Sequence, residues 1–161
     1  MMRCAPLLVC LTLLAACTSP ARDPELEQLG VPPDFAVDLY VRAARGESSD
    51  NPLRQTSKTV LEANRKLRVA VGDAARANYY PKIVRIVDAP QVEQAYAIVH
   101  NANLMIEPTS PDAEAIQSGT KTGVLYQVTL TAFGRTHTYA TTPTESPPTA
   151  QLLKKLVDLR K

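Results

Sequence analysis

The clearest pattern in the chain is a segment in which apolar and polar residues alternate. In DFAVDLYVRA, residues 34–43, every second side chain is large and apolar, and Asp38, Tyr40 and Arg42 fall between them. A period of two is typical of a β-strand that is buried on one face. This segment therefore predicts the first strand of a sheet with one apolar and one mixed face.

Five more segments have the apolar runs and alternation of strands. They are residues 57–63, 67–71, 82–87, 124–133 and 135–141. Short turns at 64–66 and at Gly134 predict that the first two and the last two of these form hairpins. Depending on the strand register, the mixed sheet face carries either the polar side chains of the first strand or those of the fifth, Gln127, Thr129 and Thr131.

Two segments have the three- and four-residue apolar spacing of amphipathic helices. Residues 89–103 predict the first helix, with Asp88 as N-cap and Gln91 completing a capping box. Residues 151–161 predict the second helix, with Thr149 as its N-cap.

The resulting order, β-β-β-β-α-β-β-α, favours an α+β fold in which two helices pack on one face of a mainly antiparallel sheet. The length of 161 residues suits a single domain of ordinary composition, with 45% hydrophobic and 21% charged residues. We assign this domain to residues 34–161. Polar connections are predicted at residues 72–81 and 107–123.

The N-terminus has the layout of an export signal. Arg3 precedes an apolar run at residues 4–16, which is shorter than the roughly 20 residues that a membrane span needs. Leu14-Ala15-Ala16-Cys17 resembles the lipobox of bacterial lipoprotein precursors. The resemblance implies cleavage between Ala16 and Cys17 and attachment of lipid to the Cys17 thiol. An ordinary cleaved signal and an uncleaved N-terminal anchor are the alternatives.

The chain then divides into a signal peptide at 1–16, a lipidated tether at 17–33 and the α+β domain. In Gram-negative lipoproteins an aspartate after the cysteine commonly retains the protein at the inner membrane. Because Thr18 occupies that position here, the resemblance implies the periplasmic side of the outer membrane. The other cysteines, Cys4 and Cys10, lie within the signal, so Cys17 has no disulfide partner in the mature chain.

The net charge and the motifs of the chain narrow the range of functions that it can have. Loss of Arg3 with the signal lowers the formal net charge from +2 to about +1. A chain so close to neutral lacks the clustered lysines and arginines with which proteins bind nucleic acids. His100 and His137 have no metal-ligand spacing, and Gly119 and Gly123 lack the order of a phosphate-binding loop. No paired carboxylates or nucleophile motif appears, so the sequence predicts no catalytic residues, metal or cofactor.

Tyr79 and Tyr80 are the densest aromatic spot in the chain. Either one tyrosine packs under the sheet and the other covers its edge, or the two form a contact patch, since tyrosine is enriched in binding hot spots. The sequence favours a lipid-anchored envelope protein with a non-catalytic binding or structural role and a protein or other envelope component as partner. The alternatives are a small periplasmic hydrolase and a binder of an apolar ligand between sheet and helices.

Overall fold

A computed structural model describes residues 22–44, 50–77 and 80–161 of the chain. The lipobox residues Leu14 to Cys17 lie outside the described residues, as do Thr18 and Tyr79.

In the described part of the chain, six strands form one antiparallel sheet, and each lies within or next to a segment that the alternation predicted. They are β1 Ala36–Arg42, β2 Ser57–Leu61, β3 Lys66–Val71, β4 Ile83–Ile86, β5 Leu125–Ala132 and β6 Arg135–Thr141. Their order across the sheet is β4-β3-β2-β1-β5-β6, so the first strand in the chain is central. Both predicted hairpins, β2–β3 and β5–β6, are confirmed.

Within the described residues, five helices accompany the sheet, together with a 3₁₀ turn at Leu104–Ile106. They are α1 Pro24–Gln28, α2 Asp73–Arg76, α3 Ala89–Asn101, α4 Pro111–Gln117 and α5 Pro147–Asp158. The two long helices, α3 and α5, are the predicted ones and contact each other. The α+β class, the antiparallel sheet and the order of the main elements are confirmed.

The hydrophobic core lies between the sheet and the two long helices. Val37, Leu39 and Val41 of β1 are fully buried, as the alternation predicted. The helices contribute the apolar stripe of each sequence pattern, chiefly Val92, Ala95, Val99, Leu152, Leu153 and Leu156. Full burial of one such aliphatic side chain contributes roughly 1.5–3 kcal/mol, so this layer holds α3 and α5 on the sheet.

The prediction of a polar loop over residues 107–123 was wrong, because α4 forms within it. The Ser110 hydroxyl caps this helix at the Ala113 amide, and Pro111 occupies its first turn. Ala113 and Ile116, three residues apart, are buried against the opposite sheet face to the one that α3 and α5 cover.

The prediction of Asp88 as the N-cap of the first long helix is confirmed, but the predicted capping box with Gln91 and the predicted Thr149 cap were wrong. Asp88 does occupy the N-cap position of α3, but its carboxylate makes no capping bond. Its main-chain carbonyl instead accepts the amides of Gln91 and Val92, and the Gln91 side-chain oxygen is buried with no partner among the described residues. The last helix begins at Pro147, so Thr149 lies inside its first turn, where it bonds the Tyr139 hydroxyl at 2.8 Å.

The segment before β1 is folded onto the domain rather than extended away from it. Leu26 of α1 and Val31 are buried in the core. Arg65, in the turn between β2 and β3, forms ion pairs with Asp23 at 2.8 Å and Glu25 at 2.7 Å. Residues from Pro24 onward therefore belong to the folded body, which differs from the predicted division into a tether at 17–33 and a domain that begins at residue 34. None of the helices in the described part of the chain is long and apolar enough to cross a bilayer.

Candidate functional site

The sheet face opposite α3 and α5, which we call the outer face, collects polar side chains from four strands. Asp38 pairs with Thr129, and Tyr40 pairs with Gln127. The two polar sets that the sequence offered as alternatives therefore occur side by side. The outer strands extend these rows, because Lys58 lies opposite Tyr40 and Thr138 lies opposite Thr129.

Two short helices turn this face into a groove. Ala75 and Arg76 of α2 form one wall, and Thr109 and Gln117, which flank and end α4, form the other. The groove has a volume of about 610 Å³. That volume is within the range of roughly 300–1,000 Å³ that is usual for ligand sites.

The groove floor offers both signs of charge and neutral hydrogen-bonding groups. Lys58 Nζ lies 3.1 Å from the Asp38 carboxylate, and the lysine side chain is largely buried. The hydroxyls of Thr129 and Thr138 are 3.0 Å apart. Tyr40 lies beside this ion pair, since it is the cross-strand partner of Lys58. A ligand in the groove would meet a cation, a carboxylate, an aromatic ring and hydroxyls over a short distance.

The wall formed by α4 is held at both of its ends. Arg42 donates to the Ile116 carbonyl at 3.1 Å, at the carboxyl end of the helix. At the other end the Glu145 carboxylate accepts the Asp112 amide at 3.1 Å and the Ser110 hydroxyl. A carboxylate is favourable at a helix N-terminus because the first amides have no partner within the helix.

The Glu145→Ala variant tests this wall. We expect its free energy of unfolding to fall by about 1 kcal/mol, since the Asp112 amide and the Ser110 hydroxyl lose their acceptor. Amides of Ala113 to Gln117 should exchange with solvent faster. Denaturant unfolding and amide exchange measure the two effects, with Glu93→Ala on α3 as the matched control. Unchanged exchange in α4 would show that Glu145 does not hold the wall.

Neither histidine lies among the groove-lining residues. His137 Nε2 is 2.7 Å from the Glu107 carbonyl, and its ring stacks on Tyr139 with centroids 5.6 Å apart. His100 lies on α3 with its ring 5.7 Å from that of Tyr96. Within residues 22–44, 50–77 and 80–161, no three His, Cys, Asp or Glu side chains converge as metal ligands would.

Tyr80 lies at a different place from the groove, beside β3 and β4, and is 63% exposed. Its hydroxyl donates to Glu62, and the Arg68 guanidinium lies 4.2 Å from the centre of its ring. Burial raises the pKa of Glu62, but the hydrogen bonds from Tyr80 and Arg68 outweigh burial and lower the pKa of this carboxyl. The hydrogen bond to Glu62 raises the pKa of Tyr80. Tyr80 is thus an exposed ring in a fixed position, and a contact patch with Tyr79 stays a prediction.

The helices that form the groove walls were not predicted, although the sequence contains a helix-start signal for one of them, α4. Ser110-Pro111-Asp112 followed by Glu114 has the cap, the first-turn proline and the early acidic residues of a helix start. The one-turn helix α2 has no such signal, and Gly72 before it makes no side-chain cap.

No protein-family model matches the chain, and no curated protein matches its sequence. A function for this α+β domain must therefore be argued from its own surface, because a fold class does not define an activity.

Proposed function

We propose that this chain is a lipid-anchored bacterial envelope protein that binds a polar ligand in the groove of its outer sheet face. In this proposal the signal at 1–16 is removed, lipid on Cys17 holds the protein on the periplasmic side of the outer membrane, and the domain acts without catalysis. The resemblance to a lipobox supports the proposed location in the cell envelope, and the groove supports the binding role.

The groove is the observation that carries the binding role. It crosses β2, β1, β5 and β6 and is lined by amides, hydroxyls and the Lys58–Asp38 pair. Groups of this kind bind a segment of peptide or saccharide, because polar groups of the ligand replace the water molecules that hydrogen-bond to them in the free protein. The space between sheet and helices is filled by core side chains, which favours a polar ligand on the outer face over an apolar ligand in that layer.

Site-specific crosslinking in the native bacterium tests the binding role. A photo-crosslinking amino acid replaces Tyr40 on the groove floor or, as control, Lys154 on the exposed side of α5. We expect a defined covalent adduct from position 40 and none from position 154.

A charge reversal shows whether the groove chemistry matters. Lys58→Glu places two carboxylates side by side, so we expect severalfold less adduct from position 40. The same reversal at Lys154 should have no effect. Equal adducts from both positions, or an adduct that is indifferent to Lys58→Glu, would overturn the proposed groove.

A further inference from the structure

The N-terminal segment crosses one end of the sheet, which we call the turn end. This end carries the β2–β3 turn, residues 62–66, and the β5–β6 turn, Phe133 and Gly134. At the first turn Arg65 binds Asp23. At the second turn the Asp34 carboxylate accepts the amides of Phe133 at 2.9 Å and Gly134 at 2.6 Å. The chain therefore joins the folded body at this end.

The most exposed large apolar side chains include several at the turn end. Phe133, at the tip of the β5–β6 hairpin, is 70% exposed, and Ile86, the last residue of β4, is 62% exposed. Ile106 is 78% exposed and precedes Glu107, whose carbonyl contacts His137 in the first half of β6. They are spread along the turn end, from β4 at one edge of the sheet to the β5–β6 hairpin at the other, so together they suit a broad flat surface such as a membrane.

The backbone at the hairpin tip is built to present Phe133. Both turn residues have positive φ, +54° at Phe133 and +69° at Gly134. Two positive values are those of the tight turn that matches strand twist, in which asparagine, aspartate or glycine is usual. An aromatic residue is rare there, and the bonds from Asp34 hold it in this conformation.

The short length of chain between Cys17 and the first described residue limits how far the turn end can lie from a lipid anchor. The five peptide steps from Cys17 to Arg22 reach at most roughly 18 Å. A lipid on Cys17 would therefore keep the turn end close to the headgroups. We infer that the turn end rests on the bilayer and that Phe133 inserts at the boundary between headgroups and acyl chains. This inference rests on the proposed lipid anchor.

Cations lie beside both exposed apolar side chains, and the carboxylate at the hairpin tip, that of Asp34, is bonded to the two turn amides. Arg135 follows the turn and is exposed, and Lys66 lies beside Ile86 as its cross-strand partner. An apolar side chain flanked by cations is the pattern of protein segments that lie in an anionic interface. With the turn end on the membrane, the sheet extends away from it.

A tryptophan reporter tests this orientation, because the natural chain contains none. Lipidated full-length mature protein carrying Phe133→Trp is reconstituted into phosphatidylethanolamine–phosphatidylglycerol vesicles, some of which contain brominated acyl chains. Val71→Trp, at the opposite end of β3 and also exposed, is the matched control. We expect blue-shifted emission and severalfold stronger quenching for Phe133→Trp than for Val71→Trp.

Ile86→Trp gives a second reporter at the turn end if Phe133→Trp does not fold, and we expect it to be quenched more than the control as well. Vesicle flotation and intact mass separate the two ways of failing. Protein that carries lipid and floats, but whose turn-end reporters emit as in water, overturns the inference alone. Protein without lipid that does not float overturns the proposed anchor.

Discussion

We expect the Cys17→Ala variant of the full chain to be lost from the membrane fraction, whereas the wild type should sediment and float with membranes. Each acyl CH₂ buried in the bilayer contributes about 0.8 kcal/mol, and stable anchoring takes at least two chains. Without the thiol no lipid can be attached at position 17. Intact mass of the wild type should correspond to a chain that begins at Cys17 and carries acyl groups.

Cys10→Ala is the matched control for this anchor. Cys10 lies in the apolar run and in the proposal would be removed with the signal, so its replacement should change neither fractionation nor mature mass. The alternatives predict different results. With an ordinary cleaved signal, wild type and Cys17→Ala are both soluble and free of lipid. With an uncleaved anchor, both stay in the membrane at the mass of the whole precursor.

The sequence predicted the parts of the fold in which a single periodic pattern meets a single buried face. In β1 burial follows the alternation at every position, because one face meets the core and the other meets the groove. In α3 the residues three and four apart are those buried against the sheet. Elements of this kind can be recognised from their own sequence, without knowing which segments pack against them.

The parts that were missed depend on contacts between distant segments. Burial of α4 requires Leu125 and Ala140, which make an apolar spot on an otherwise polar face, and Ala113 and Ile116 form too short a stripe to predict it. The groove depends on the register between β1 and β5, which places Asp38 beside Thr129. Neither segment alone contains that register, so the two polar sets stayed alternatives.

Alkaline pH should destabilise the domain through two buried tyrosines. Burial raises the pKa of Tyr126 to about 12. Burial also raises the pKa of Tyr139 to about 12, against an opposing effect of its hydrogen bond with Thr149. In the unfolded chain, tyrosine hydroxyls ionise near pH 10. The stability that the neutral tyrosines contribute is therefore complete below pH 10 and is lost as the pH rises to about 12.

The loss should reach roughly 2 kcal/mol for each of the two side chains by pH 12. At pH 8, Tyr126→Phe and Tyr139→Phe should each be about 1 kcal/mol less stable than wild type. Each removes a hydrogen bond of 2.8 Å, from Tyr126 to the Leu53 carbonyl or between Tyr139 and Thr149. At pH 11 the difference from wild type should vanish, because phenylalanine has no proton to lose.

Urea unfolding at pH 8 and pH 11 measures this crossover directly. Tyr96→Phe is the control, since the ring lies on the α3 side of the core, edge-on to Phe35, and the variant keeps both buried hydroxyls. It should lose stability at pH 11 as much as wild type does. If Tyr126→Phe and Tyr139→Phe kept the same deficit at both pH values, ionisation of these buried tyrosines would not be what opens the fold in alkali. The loss would then lie with surface charges, which act on all the proteins alike.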